Sequence, residues 1–145
     1  MRILLCLVFL STSSFGGVDL NVFSQNLKLP DSCFLKVEDP ALITINCKTT
    51  QHHMTFSSLK DGEFAAESFL KKAKSDNDWG IKLIDHKFKT SEGYKHFFTH
   101  TKTNGTDDFT YIVCDKMMCF YVDTYSREFI DSVLSQLNIR PVWGS

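Results

Sequence analysis

Phe109-Thr110-Tyr111-Ile112-Val113-Cys114, Asp115-Lys116-Met117-Met118, Cys119-Phe120-Tyr121-Val122-Asp123-Thr124: two runs of β-branched and aromatic residues flank a four-residue turn, with a cysteine at each inner end. Opposite residues of an antiparallel pair point to the same face. Closing the hairpin with Cys114 opposite Cys119 therefore gathers Phe109, Tyr111, Val113, Phe120 and Val122 on one face. The sulfurs share the other with Ile112 and Tyr121. A bridge across so short a loop contributes about 2–3 kcal/mol at most.

The same parity applies upstream. Ser32-Cys33-Phe34-Leu35-Lys36-Val37 and Ile43-Thr44-Ile45-Asn46-Cys47-Lys48 flank a turn at Glu38-Asp39-Pro40-Ala41, where Pro40 suits the second turn position. Setting Val37 opposite Ile43 puts Leu35 opposite Ile45 and Cys33 opposite Cys47, all on one apolar face. This bridge is expected to be buried and structural. The Cys114–Cys119 bridge, on the face away from the core, is expected nearer the surface, stiffening its turn. Of the five cysteines, Cys6 lies in the apolar run at the start of the chain; the other four allow three connectivities, so crossed pairing and free thiols are the competing readings. Zinc is another, but only Cys114 and Cys119 approach knuckle spacing.

The bridges fit an oxidising compartment, and the start of the chain agrees. Arg2, the apolar run Ile3 to Leu10 and small residues at Ser14 and Gly16 read as a signal peptide over residues 1–16, cleaved before Gly17. Eight apolar residues are too few to span a bilayer, which takes roughly 20, so no stable membrane anchor is expected. The protein is expected to be secreted or periplasmic. Residues 17–31 read as an N-terminal extension of the mature chain and 32–145 as a single α+β domain.

Loss of the signal, whose one charged residue is Arg2, takes the formal charge from −1 to −2. With no basic cluster to neutralise phosphates, nucleic acid is not an expected partner. The 13 Phe supply apolar mass for a core, which the disulfides supplement.

Strands are also expected near His53 to Phe56, Trp79 to Phe88 and Tyr94 to Thr101, the last two turned at Thr90 to Gly93. A helix capped by Asp61 carries Phe64, Ala65, Phe69, Leu70 and Ala73 at helical spacing, and Ser75 to Asp78 stops it. A second helix, capped by Ser126, carries Phe129, Ile130, Val133, Leu134 and Leu137, and Pro141 follows it. The sum is an α+β fold: an antiparallel sheet of about five to seven strands with two packed helices and two disulfide-stapled hairpins.

A helix such as Glu63 to Lys74, three or four antiparallel strands, and a closing helix bearing Phe129-Ile130 and Val133-Leu134 resemble the exported or periplasmic PsbP/Mog1-like α/β/α sandwich proteins, over roughly residues 32–139. That group includes photosystem-associated, lipoprotein and toxin-neutralising members. The resemblance implies a binding scaffold more readily than an enzyme.

Chemistry-bearing motifs are few: there is no Gly-x-Ser-x-Gly, phosphate loop or His-Glu-x-x-His. His52 and His53 are adjacent and face opposite ways on a strand. His96 and His100 share a strand face, and in one hairpin register His86 joins them as a zinc or copper site. Solvated or hydrogen-bonded histidines are the simpler reading. Asp107-Asp108 reads as a loop, and Asp76 with Asp78 as a helix stop, calcium there being short of oxygen ligands. Asn104-Gly105-Thr106 is a glycosylation sequon if the source is eukaryotic.

The expected function is therefore that of an exported, non-enzymatic binding protein without a cofactor, such as an inhibitor or immunity-type protein that neutralises a secreted protein. Its contact candidates are Asp115, Lys116, Met117, Met118 and Tyr121. The alternative is a carrier of a small ligand or metal, using an apolar cavity or the His86, His96 and His100 face. An enzyme becomes credible where a cleft brings a histidine and a carboxylate within hydrogen-bond reach.

Overall fold

The computed structural model describes residues 19–39, 42–47, 52–75 and 80–144. The expected export signal, Pro40 and Ala41 of the first turn, Asp76 to Asp78 of the helix stop and Trp79 lie outside the described residues. Nine strands are described: β1 (Asp19–Val22), β2 (Gln25–Lys28), β3 (Cys33–Asp39), β4 (Leu42–Cys47), β5 (His52–Ser58), β6 (Ile81–Ser91), β7 (Tyr94–Thr103), β8 (Thr106–Cys114) and β9 (Met118–Thr124). Helix α1 (Leu59–Ser75) follows β5, and α2 (Arg127–Gln136) follows β9. A short hairpin pairs β1 with β2; the other seven strands form one antiparallel sheet in the order β3-β4-β5-β9-β8-β7-β6.

Both expected registers are found. Cys33 pairs with Cys47 and Leu35 with Ile45; Cys114 pairs with Cys119, Val113 with Phe120 and Tyr111 with Val122. Both cysteine pairs are bridged. The β6–β7 turn is made at Glu92-Gly93 and the β7–β8 turn at Asn104-Gly105, each with φ positive at both residues. That geometry matches strand twist in a two-residue hairpin and favours the glycines.

The helices cover opposite faces. On one, Ile130, Val133 and Leu134 of α2, with Leu137, Ile139 and Val142 beyond it, pack on Ile45, Met54, Phe98, Tyr111, Phe120 and Val122. The stretch expected as an extension joins this core. Val22 and Leu27 of the β1–β2 hairpin are fully buried, and the Gln136 side chain accepts from the Lys28 N–H at 3.0 Å. Ser126 caps α2 as expected, accepting from the Phe129 N–H at 3.3 Å.

On the other face α1 covers Ile112, Cys114 and Cys119, with Ala66 at the contact and Leu59, Phe97 and Tyr121 around it. Helix α1 starts two residues before the expected cap. Ser58 caps it, its hydroxyl accepting from the Asp61 N–H at 3.2 Å while donating to the Asp61 carboxylate at 2.5 Å. Its buried stripe is Gly62, Ala66 and Ala73, so Phe64, expected inside, stands 71% exposed. The Cys114–Cys119 bridge, expected near the surface, is fully buried because the face it occupies is the one α1 covers.

Gly62 sets that approach. A Cβ there would lie 2.5 Å from Cys119 Cβ and closer still to its sulfur, with Tyr121 Oη at 3.2 Å. Helix propensity alone favours alanine over glycine by about 1 kcal/mol. Gly62→Ala is nevertheless expected to destabilise the fold by about 1–3 kcal/mol through overpacking, read as a lower urea midpoint. A raised midpoint would show that the contact relaxes freely.

Candidate functional site

Each group proposed from the sequence has a definite place. The turn between β8 and β9 is fixed from three directions. The Asp115 carboxylate accepts from the N–H groups of Met117 and Met118 at 2.7 and 2.8 Å. The Asp115 N–H donates to the Met118 carbonyl at 3.0 Å, and the Leu59 N–H at the start of α1 donates to the Met117 carbonyl at 3.2 Å. The buried bridge lies directly beneath. Asp115 is thereby used in holding the turn, Met118 is half-buried, and Lys116 and Met117 are presented, Met117 at 80% exposure.

Tyr121 is not part of this tip. Parity turns it under α1, where its hydroxyl meets Ser57 Oγ at 3.1 Å and burial raises its pKa. At the same end of the sheet, β3 carries Leu35 and Val37 beyond the cover of α2. They lie on the expected core face, yet are 42% and 67% exposed.

The three-histidine face does not form. His86 pairs with Thr99, while His96 pairs with Lys89 and His100 with Asp85; His86 therefore projects from the opposite face. His96 is almost wholly buried, its Nδ1 2.8 Å from the Tyr111 hydroxyl and its Nε2 3.1 Å from Ser91 Oγ. The Val142 N–H donates to the same phenol oxygen at 3.2 Å. Tyr111 can then donate to Nδ1 and Nε2–H to Ser91, an order that requires a neutral imidazole. Among the described residues no group of three or more His, Cys, Asp or Glu is placed to hold a metal ion.

His100 Nε2 lies 2.8 Å from Asp107 Oδ1, with the ring stacked on Phe109 and Lys102 3.7 Å from the other carboxylate oxygen. The hydrogen bond from His100 lowers the Asp107 pKa. This is a polar cluster with its carboxylate in solvent. Asn104 is exposed at its turn.

Two features escaped the sequence reading. His52 is buried and stacked on Phe129 at 3.4 Å, with Nδ1 2.6 Å from Thr124 Oγ1, which also accepts from the Ser126 N–H at the start of α2. Burial lowers the pKa of His52 and of His96. The second feature is a cavity of about 280 Å³ lined by His53, Phe69, Asp108, Thr110, Asp123 and Tyr125. Asp108, read as loop, is in β8, and Asp123 alternates with Cys119 and Tyr121 on the face under α1. Period two was the available signal for Asp123.

No family model matches the chain, and no characterised protein matches it in sequence. In structure it is similar to the solution structure of cyanobacterial PsbP (CyanoP) from Synechocystis sp. PCC 6803, with a TM-score of 0.46 and 10% identity over 88% of this chain and 91% of that one. The disulfides fit an oxidising, extracytoplasmic compartment. Among the described residues no helix is long and apolar enough to cross a membrane.

The buried histidines fix a pH dependence. A base whose pKa is lower folded than unfolded binds more protons unfolded, so stability is complete above the ordinary histidine value and is lost as pH falls below it. Chemical-denaturation midpoints are expected to fall as pH drops through roughly 6.5 toward 5, with a shallower slope in His52→Gln. Burial raises the pKa values of Asp108 and Asp123, which gives the opposite slope at lower pH. A profile flat across the histidine range would contradict the buried, neutral assignment.

Proposed function

We propose that the chain is a non-enzymatic binding protein acting outside the cytoplasm, which engages a secreted protein through the β8–β9 turn and neutralises it. The observation that carries this reading is Met117, 80% exposed on a turn held by the Asp115 carboxylate, by the Asp115 N–H and by the Leu59 N–H of α1. A large apolar side chain held out by a stiff turn loses little conformational freedom when a partner buries it, and methionine adapts to an irregular surface. The space between α2 and the sheet, where a carrier would hold an apolar ligand, is occupied by fully buried Met54, Tyr111, Phe120, Ile130 and Leu134.

The test uses the oxidised protein, immobilised and exposed to extracellular fluid of its source. A partner retained by the native chain is expected to bind at least about tenfold more weakly to Met117→Asp, the loss corresponding to a buried apolar anchor. Phe64→Asp, on the exposed side of α1, should leave binding unchanged. Equal effects from both variants, or from neither, would refute the assignment of the turn.

A further inference from the structure

Asn104-Gly105-Thr106 forms the tip of the β7–β8 hairpin, at the end of the sheet remote from the Met117 turn. All three residues are exposed. Both turn residues have positive φ, 50° at Asn104 and 87° at Gly105, and Thr103 pairs with Thr106 to close the hairpin. The Asn104 carboxamide lies beside Gly80, its oxygen 3.1 Å from the place a Cβ there would occupy. Among the described residues neither that carboxamide nor the Thr106 hydroxyl makes a hydrogen bond. The fold therefore makes no use of their polar atoms.

Turn geometry does not account for all three residues. The neighbouring β6–β7 hairpin closes a turn of the same kind with Glu92 (φ 53°) and Gly93 (φ 85°), followed by Tyr94. Asparagine is thus not required before the glycine in this sheet, nor threonine after it. Asn-Gly is a favoured pair at a two-residue turn, so backbone conformation is sufficient reason for the pair. It is no reason for the hydroxyl at Thr106. Asparagine, any residue but proline, then threonine is the acceptor sequence for an N-linked oligosaccharide, and its place is an exposed loop.

We infer that Asn104 carries an N-linked glycan. The bond formed joins Asn104 Nδ2 to the anomeric carbon of an N-acetylglucosamine. The bond broken is the one from that carbon to a polyprenyl diphosphate, the donor being a polyprenyl-diphosphate-linked oligosaccharide. The diphosphate leaves with the electron pair, and a base of the transferase takes the carboxamide proton. Donor and transferase belong to the eukaryotic secretory pathway, the oxidising route on which disulfides also form. The fold accepts the product without rearrangement, because the sugar leaves from an exposed tip and displaces no bonded group. Strand β8, nine residues long, puts roughly 30 Å between this tip and the Met117 turn. The glycan therefore stands clear of that turn, and its assignment does not rest on the reading of Met117.

The test is mass-spectrometric peptide mapping of the full, oxidised chain, purified from extracellular fluid of its source, before and after a peptide-N-glycosidase acts on it in ¹⁸O-labelled water. The chain is expected as a heavier form that collapses to the polypeptide mass on treatment, leaving ¹⁸O-labelled aspartate at position 104. Expressed in cells of the source, Asn104→Gln and Thr106→Val should both lose the heavier form, and Thr106→Ser should retain it. Valine keeps the β-branched shape that suits a strand and lacks the hydroxyl; serine does the reverse. The pattern therefore separates an acceptor threonine from a structural one. An unmodified mass for the chain from its source would overturn the inference. So would unlabelled aspartate at position 104, as spontaneous deamidation of Asn-Gly leaves, or a heavier form that persists in Thr106→Val.

Discussion

The close approach of α1 to the central hairpin at Gly62 is the constraint on which the sandwich depends. Strands β8 and β9 are apolar on both sides: Tyr111, Val113, Phe120 and Val122 face α2, while Ile112, Cys114 and Cys119 face α1. A sheet of that kind has to be covered twice. The α2 side is covered by large side chains from the helix, the β1–β2 hairpin and the C-terminal segment. The α1 side is covered by Gly62 and Ala66, which contribute almost no side-chain thickness and bring the helix down onto the disulfide. Packing there is therefore between helix and sheet, with little to absorb a change in volume. The same placement brings the Leu59 N–H to the Met117 carbonyl, so one contact seals the second face and braces the turn beside it.

The two layers handle polar groups differently. Beneath α2, His52 and His96 are each bonded through a hydroxyl, to Thr124 and Tyr111, that is itself bonded to backbone. These chains of bonds add a pH-sensitive element to an otherwise apolar core. Beneath α1 the apolar contacts concentrate around Cys119. Toward the other end of the strands the face turns polar, through Thr99, Thr101, Thr110, Asp108 and Asp123. Small helix residues close the first half; at the second, the cavity below Phe69 remains. The resulting asymmetry separates a rigid end from an end with a polar recess.

Parity made the hairpins legible. A cysteine and two or three alternating apolar residues on each strand fix a register, because a slip of one residue reverses every side chain. Parity assigns residues to faces and says nothing of what covers a face, which is where the reading of the sequence departed from the structure. Leu35 and Val37 were given the right face and the wrong burial, since α2 stops short of them. The second disulfide was given the right face and the wrong depth, since the helix over it is marked only by Gly62 and Ala66 and not by a strong apolar stripe. Phe64 misled for the same reason. His86 depended on the register set at the turn, where Ser91 pairs with Tyr94, and no pair of cysteines pinned that hairpin. The acid pair needed two distant strands to be known as neighbours.

Exposed apolar side chains are common on soluble proteins, and most carry no meaning. Phe64 and Met117 are exposed to a similar degree, so exposure alone does not distinguish them. Their settings do. Phe64 sits on an outward helix face whose inner residues already account for the helix, and any polar residue there would preserve the fold. At the turn, a carboxylate caps two N–H groups, a helix end binds a carbonyl and a disulfide is buried below, all to hold four residues in one conformation. A hairpin joining two central strands of a seven-stranded sheet does not need that much bracing to remain closed. Stiffness there reduces the entropy lost when the turn meets another surface, and this gain is realised only if the side chain it presents has somewhere to go.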